Sequence, residues 1–302
     1  MGRYNTSMSF ADLFKTAEFP KGHTTEEKTV LIYYGGKSRD ADWIISHFPQ
    51  HRTFVDVFGG GGAVSFRKRP SRVDVYNDIG NVANFFEVLR ESPDDLYRAL
   101  YFTPFSRLEY ETARDTWEAE MRSGNKVEWA RKWFTVINQG YTHEEKSDTW
   151  HVAKQVNSAR ALVNHVDDIP AIVNRLRRMH IEHLSFEKLI PLYDLDDGST
   201  LFYCDPPYMH ESRADTSNYL NEMSVEKHEE LLLMLQKVKG QVVVSGYASD
   251  LYDSLLKDWH RYTITHKSAI QNSSSVLNRG DRTEVLWVRR HVHDLWSQAW
   301  TA

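Results

Sequence analysis

Phe54-Val55-Asp56-Val57-Phe58-Gly59-Gly60-Gly61-Gly62 joins a short apolar run to four consecutive glycines. A run of this length reads as a buried β-strand, and the glycines read as a turn whose backbone can reach positive φ and approach a ligand closely. The helix expected behind them offers unpaired N–H groups. Alone, the pattern suits a nucleotide-type cofactor such as NAD, or is a tight turn and nothing more. No Gly-Lys-Ser or Gly-Lys-Thr follows the glycines, which removes the phosphate-binding P-loop. A second strand, Val73 to Tyr76, ends on Asn77-Asp78 about twenty residues after the glycines begin, where an acid can accept hydrogen bonds from ribose hydroxyls. What remains is an adenosine-containing cofactor.

Outward from this core the pattern is α/β. Val82 to Arg90 reads as a helix, and Ser92-Pro93 as a break. From Thr103 to about Val173 strand signals vanish, and Tyr110, Trp117, Met121, Trp129 and Trp133 recur at helical spacing, which marks a candidate insert. Strand signals return at Ile181 to Phe186, at Leu201 to Cys204 and at Gln241 to Ser245, the last after a helix from Val225 to Val238 closed by Gly240. Tyr262 to His266 and Glu284 to Arg290 read as an antiparallel hairpin around the polar loop from Gln271 to Arg282. The expected architecture is a mostly parallel, Rossmann-like sheet flanked by helices, with a helical insert and a terminal antiparallel pair. Residues 1–26 are polar and aperiodic and read as an arm.

The chemistry is carried by Asp205-Pro206-Pro207-Tyr208, directly after the run Leu201 to Cys204. Two prolines fix φ and remove N–H donors, which holds the carbonyls of Asp205 and Pro206 in one direction to accept from an amino group. Tyr208 supplies a flat face on which a base can stack, worth about 1 to 3 kcal/mol. The bland alternative is a proline-ended strand with a core tyrosine.

These residues together resemble the D12 class of DNA adenine-N6 methyltransferases, typified by bacterial Dam enzymes. Tyr33-Tyr34-Gly35-Gly36-Lys37 is similar to that family's N-terminal cofactor motif, Phe58, Gly60 and Gly62 to its FxGxG loop, Asp78 to its ribose acid, and Asp205 to Tyr208 to its DPPY tetrad. Tyr208 to Arg213, with Tyr219, Met223 and His228, is similar to the stretch after the tetrad in phage and prophage members. The resemblance covers roughly residues 30–100 and 180–290. It departs at Ile32, where the family often has lysine, at Gly80, where asparagine is common, and at Ser185 before Phe186, where an aspartate usually meets the cofactor's adenine, a contact that Glu187 could replace.

The resemblance implies S-adenosylmethionine as methyl donor and N6 of a flipped adenine in double-stranded DNA as acceptor. It implies a catalytic domain of 27–102 and 174–302 and a target-recognition domain at 103–173. Catalysis is expected of Asp205, Pro206, Pro207 and Tyr208. Cofactor contacts are expected of Tyr33, Tyr34, Gly35, Gly36, Lys37, Asp56, Phe58, Gly60, Gly62, Asp78, Ser185, Phe186 and Asp205, and DNA contacts of Arg213, Tyr219, Arg279 and Arg282. Cytosine-N4 or RNA-adenine methylation, a dehydrogenase, and a non-catalytic DNA-binding protein on the same fold stay open as alternatives. Cytosine-C5 methylation needs a cysteine nucleophile, usually in a Pro-Cys pair, and the sequence has no such pair.

Composition agrees with a soluble chain. Of 302 residues 41% are hydrophobic, yet no run approaches the ~20 apolar residues needed to span a membrane. The start lacks an export signal, so the cytoplasm is the expected compartment. A single cysteine, Cys204, excludes an internal disulfide, and His143, His151, His180 and His183 lack a zinc spacing, so no metal is expected. The formal net charge of −5 argues against nucleic acid only in sum. Basic residues gather at Arg67, Lys68, Arg69 and Arg72, at Arg175, Arg177 and Arg178, and at Arg279, Arg282, Arg289 and Arg290, which would form a footprint if they converged. Beyond DNA, a cognate nuclease or other defence component is a candidate partner for what is expected to be a monomer or weak dimer.

Overall fold

The computed structural model describes residues 31, 36–152, 157–208, 223–266 and 282–289. Expectations for the arm at 1–26, for Ile32, Tyr33, Tyr34 and Gly35, for Arg213, Tyr219 and Arg279, and for the loop from Gln271 lie outside the described residues, as does the side chain of Arg282. The elements run α1 (Ala41–Ser46), β1 (Thr53–Asp56), α2 (Ala63–Arg67), β2 (Val73–Asn77), α3 (Asn81–Glu91), α4 (Pro93–Tyr101), α5 (Arg107–Ser123), α6 (Lys126–Gln139), α7 (Ser158–Asp167) and α8 (Ile169–Leu176). They continue with β3 (His180–Glu182), α9 (Phe186–Tyr193), β4 (Thr200–Cys204), α10 (Val225–Leu235), β5 (Gln241–Gly246), α11 (Asp250–Leu255), β6 (His260–His266) and β7 (Arg282–Arg289).

The strands form one seven-stranded sheet in the order β3-β2-β1-β4-β5-β7-β6. β1 is parallel to β2 on one side and to β4 on the other, and β4 is parallel to β5. β7 is antiparallel to both β5 and β6. The expected mixed, mostly parallel sheet with a final antiparallel pair is therefore present. The chain leaves β1 toward β2 and returns on its other side at β4, so the order reverses between β1 and β4. Such a reversal sends the flanking connections to opposite faces of an open α/β sheet.

The chain divides into two compact units. One holds Trp43–Phe58, Ser71–Asn77 and the described residues from Leu184 onward; the other holds Gly59–Pro70, Asp78–His183 and the described residues before Trp43. In the first, β1 and β4 are buried at every position, as strands covered on both faces require. Alternation sorts their side chains. Val55, Val57, Phe202, Cys204, Val242, Val244, Val285 and Trp287 share one cluster with Leu189 and Ile190 of α9 and Leu231, Leu232 and Leu235 of α10. On the opposite face Phe48 lies 5.6 Å, ring to ring, from both Phe54 and Tyr203.

The second unit is helical where it follows β2. Ser106 caps α5 by accepting from Glu109 N–H, and Asn125 caps α6 by accepting from Glu128 N–H. Phe85 of α3 stacks on Phe134 at 5.8 Å and packs on Trp133 at 5.5 Å. Arg131 bridges Glu109 and Glu128, and Lys132 meets Glu120 at 2.6 Å, tying α5 to α6.

Several boundaries differ from the sequence reading. The run Ile181 to Phe186 is a strand only through Glu182, because Ser185 sits extended at a helix start and Phe186, Leu189 and Ile190 then bury one helical face. The expected break at Ser92-Pro93 is present, separating α3, which ends at Glu91, from α4, which Pro93 opens; a first-turn proline loses no hydrogen bond, and Asp94 and Asp95 suit the positive helix end. The helix beginning at Val225 stops at Leu235, short of Val238. Trp287 is 1% exposed in the first unit's core. Trp287→Ala should cost about 3 to 5 kcal/mol of stability in denaturant titration. A loss below about 1 kcal/mol would contradict the packing described.

Candidate active site

Four neighbouring strands carry polar groups at the same end of the first unit's sheet, on the face opposite the α9 and α10 cluster. Asp56 of β1 is in register with Tyr203 of β4, and Ser245 and Glu284 follow on β5 and β7. All four are buried, at 2%, 2%, 0% and 7% exposure. The Tyr203 hydroxyl and Ser245 Oγ lie 3.0 Å apart, and Ser245 Oγ donates to Asp205 Oδ1 at 3.0 Å. Burial, with Asp205 and Asp56 nearby, pushes the Tyr203 phenol far above its ordinary value, so it stays protonated. The phenol and the serine thus hold the Asp205 carboxylate in one orientation.

The tetrad continues from β4 without a break. Pro206 is buried and Tyr208 is half-buried. The Tyr208 hydroxyl donates to Glu284 Oε1 at 2.9 Å, and the Tyr247 ring lies 4.4 Å from the Tyr208 ring at 36°. Behind the prolines, His228 of α10 is 1% exposed and has Nδ1 2.8 Å from the Tyr252 hydroxyl, with the Pro207 backbone as a further polar neighbour. Burial holds the His228 imidazole below its ordinary pKa. Cys204, the last residue of β4, is fully buried, and burial with Asp56 and Asp205 nearby pushes its thiol well up, the reverse of what a nucleophile needs.

In the second unit the glycine turn and Gly80 hold Asp78, the acid that follows β2. Gly60 N–H donates to Asp78 Oδ2 at 2.9 Å and Gly80 N–H to Asp78 Oδ1 at 2.7 Å. Gly60 and Gly62 adopt φ of 48° and 73°, and a Cβ on Gly62 would stand 2.3 Å from the Phe66 ring. Burial pushes the Asp78 carboxyl up against the pull of the two backbone donors, with Glu145 adding like charge and His183 opposing. Glu145 is itself fixed, since Oε1 accepts from Trp133 Nε1 at 2.8 Å and from Asn81 Nδ2 at 2.9 Å.

The other expected site residues fall as follows. Phe58 and Phe186 approach at 6.2 Å between ring centres, and Ser185 opens α9 without a side-chain capping bond. Glu187 Oε1 accepts from Lys227 Nζ at 2.5 Å, so that oxygen already has a cationic partner. Gly36 is exposed and Lys37 is buried. Part of the expected basic footprint is internal to the second unit. Arg67 donates to the Ser38 carbonyl, Lys68 to that of Arg69, and buried Arg175 to that of Ser65, whereas Arg69, Arg72, Arg177 and Arg178 are exposed. Arg67, Lys68 and Arg175 are bound up because each reaches a backbone carbonyl that helix ends and turns leave open.

Sequence reasoning missed Ser245, Glu284, Tyr247 and Glu145. The apolar run Val242-Val243-Val244 ending on Ser245 flags a polar residue on a buried strand, and Glu284 opening an apolar run is the same signal. Nothing local identifies Glu145. Asn77 was read only as a strand end. It is 2% exposed, donates to the Val57 and Leu184 carbonyls and accepts from Leu184 N–H, so one side chain splices two chain segments.

A seven-stranded, mostly parallel α/β sheet with a polar corner at the end of β4 is consistent with a methyltransferase fold. The family model for D12 class N6 adenine-specific DNA methyltransferase matches residues 33–270, and the chain belongs to that family. Comparison with individual curated proteins found no match. Membership makes this a methyltransferase acting on adenine in DNA.

Two outcomes check this geometry. Gly62→Ala forces both a left-handed backbone and a clash with Phe66, so it should lose at least about 1 to 2 kcal/mol of stability in urea titration, with wild-type behaviour excluding the turn conformation. Burial depresses the His143 and His228 imidazoles below 6.5, so the folded chain binds fewer protons than the unfolded one as pH falls. Their contribution is complete above pH 6.5 and lost on acidification below it. Thermal melts from pH 8 to pH 5 should show a falling Tm, with a shallower fall in His228→Gln; an equal slope in both proteins would exclude His228 as a source.

Proposed function

We propose that the chain transfers the methyl group of S-adenosylmethionine to N6 of an adenine rotated out of double-stranded DNA. The observation that carries this reading is the tetrad itself: an acid held by Ser245 and a tyrosine held by Glu284, on a strand adjacent and parallel to the one that enters the glycine turn. The chemistry at Asp78 fits the cofactor. Each carboxylate oxygen takes one backbone N–H, and an ionised oxygen has acceptor capacity left for a ribose hydroxyl. Gly36, Lys37, Asp56, Phe58, Gly60, Gly62, Ser185, Phe186 and Asp205, with Tyr33, Tyr34 and Gly35, complete the set assigned to the cofactor.

The bound cofactor supplies an electrophilic methyl group on a sulfonium. An aromatic amine is a weak nucleophile, so the protein's part is alignment and stabilisation of the charge that develops on nitrogen. The Asp205 carboxylate and the Pro206 carbonyl accept the two N6 hydrogens, which favours a pyramidal nitrogen. Asp205 lacks rotational freedom because Ser245 holds Oδ1. Tyr208 stacks on the base and offsets part of the few kcal/mol that extrusion costs. Residues 103–173 are assigned to target recognition and the rest of 27–302 to catalysis, with Arg213, Tyr219, Arg279 and Arg282 on the DNA.

Expression in a host free of DNA methylation, followed by sequencing for N6-methyladenine, reports activity, base and target site together. Methylated adenine at one recurring sequence is the expected result; unmodified DNA from soluble, cofactor-binding protein overturns the reading. Asp205→Ala should lower turnover at least ~100-fold, equivalent to roughly 3 kcal/mol of lost transition-state stabilisation. Turnover within a few-fold of wild type would remove Asp205 from the chemistry.

A further inference from the structure

A glutamate on a strand covered on both sides is an expensive choice. Glu284 is 7% exposed, on β7 between β5 and β6, in a run whose next four residues, Val285 to Val288, are apolar and buried. An apolar residue there would avoid the cost of dehydrating a carboxylate, which hydrogen bonds must offset. Strand alternation turns Glu284 away from the cluster that holds Val285 and Trp287. Its Oε1 meets the Tyr208 hydroxyl at 2.9 Å.

That contact fixes what a tetrad tyrosine otherwise lacks. The prolines constrain backbone dihedrals, but they leave the Tyr208 side chain free to turn about χ1 and χ2. A hydrogen bond at the ring's far end, seventy-six residues away in sequence, removes that freedom. Tyr247 limits it further by lying 4.4 Å from the ring. Burial, with the charges of Asp205 and Glu284 beside it, pushes the Tyr208 phenol far up, so its hydroxyl remains a donor and the carboxylate its acceptor.

We infer that Glu284 is a positioning residue for the proposed reaction: it anchors the Tyr208 hydroxyl and thereby presets the plane on which the target base stacks. Glu284 touches neither donor nor acceptor of the methyl group and works through Tyr208. Hydrogen bonds from a neutral donor to a carboxylate are stronger than neutral ones. A glutamine keeps an acceptor oxygen in the same place, whereas an alanine removes it and strands the phenol. The inference rests on the functional reading above.

The test is a double-mutant cycle on the full chain with Glu284→Ala, Tyr208→Phe and the pair, with Glu284→Gln alongside. Turnover on duplex DNA, cofactor affinity by calorimetry and fluorescence of 2-aminopurine at the target adenine are measured for each. Glu284→Ala is expected to lower kcat about 10- to 100-fold with cofactor affinity unchanged and to reduce the 2-aminopurine signal. Glu284→Gln should recover most of that loss. In the Tyr208→Phe background the alanine substitution should cost no more than about twofold, because the hydroxyl it serves is already gone. Additive losses, a glutamine variant no better than alanine, or Tyr208→Phe within about twofold of wild type would each overturn the inference. The last comparison decides the matter even if Glu284→Ala does not fold. Wild-type protein that leaves adenine unmethylated would refute the functional reading itself, and the role of Glu284 with it; an active wild type with an additive cycle would refute Glu284 alone.

Discussion

Everything at the candidate site depends on β1 and β4 lying side by side and parallel, with Asp56 opposite Tyr203. Parallel strands hydrogen-bond through their backbones, so this pairing needs no particular side chain, yet it fixes which residues leave the sheet at the same end. The strand that enters the glycine turn and the strand that enters the tetrad end together because the chain returns from β2 and β3 to the far side of β1. A one-residue slip of β4 would exchange its two faces, sending Tyr203 into the apolar cluster and Cys204 out of it. The buried valines and phenylalanines of the cluster oppose that slip.

With register fixed, the sheet becomes a support for charge. Asp56, Tyr203, Ser245 and Glu284 are polar positions on strands that are otherwise apolar, and burying them weakens the fold unless they satisfy one another. Two of them do so through the tetrad, Ser245 on Asp205 and Glu284 on Tyr208. Stability and site geometry are therefore coupled in the same hydrogen bonds. The second unit uses a comparable device around Asp78, whose carboxylate is held by two backbone N–H groups while burial and Glu145 raise its pKa. In both units, acids with little access to water are held by hydrogen bonds from neighbouring groups.

Much of the fold was readable from local patterns. The strands from Val73, Leu201, Gln241 and Tyr262 needed only apolar runs and turn residues, and the helical character of Tyr110 to Trp133 needed only spacing. Errors fell where two signals compete. Leu184-Ser185-Phe186 continues a strand-like pattern until Ser185 turns the chain into α9. The motif residues Gly60, Gly62, Asp78 and Asp205 to Tyr208 stood out because each is a costly choice for a plain core. The basic runs misled in part, since charge in a sequence does not reveal whether Arg67, Lys68 or Arg175 ends on solvent or on a backbone carbonyl.

By itself the sequence determined the element types, the glycine turn, the acid at the end of β2 and the rigid tetrad, because each depends on dihedral preferences and burial patterns confined to a few adjacent residues. Only the tertiary structure decided that Ser245 restrains Asp205, that Glu284 anchors Tyr208 and that Glu145 stands near Asp78. Those partners are separated by 40, 76 and 67 positions, and no local preference encodes which of many buried polar groups will meet. The packing of strands and helices within each unit decides it, through the free energy of burying apolar side chains.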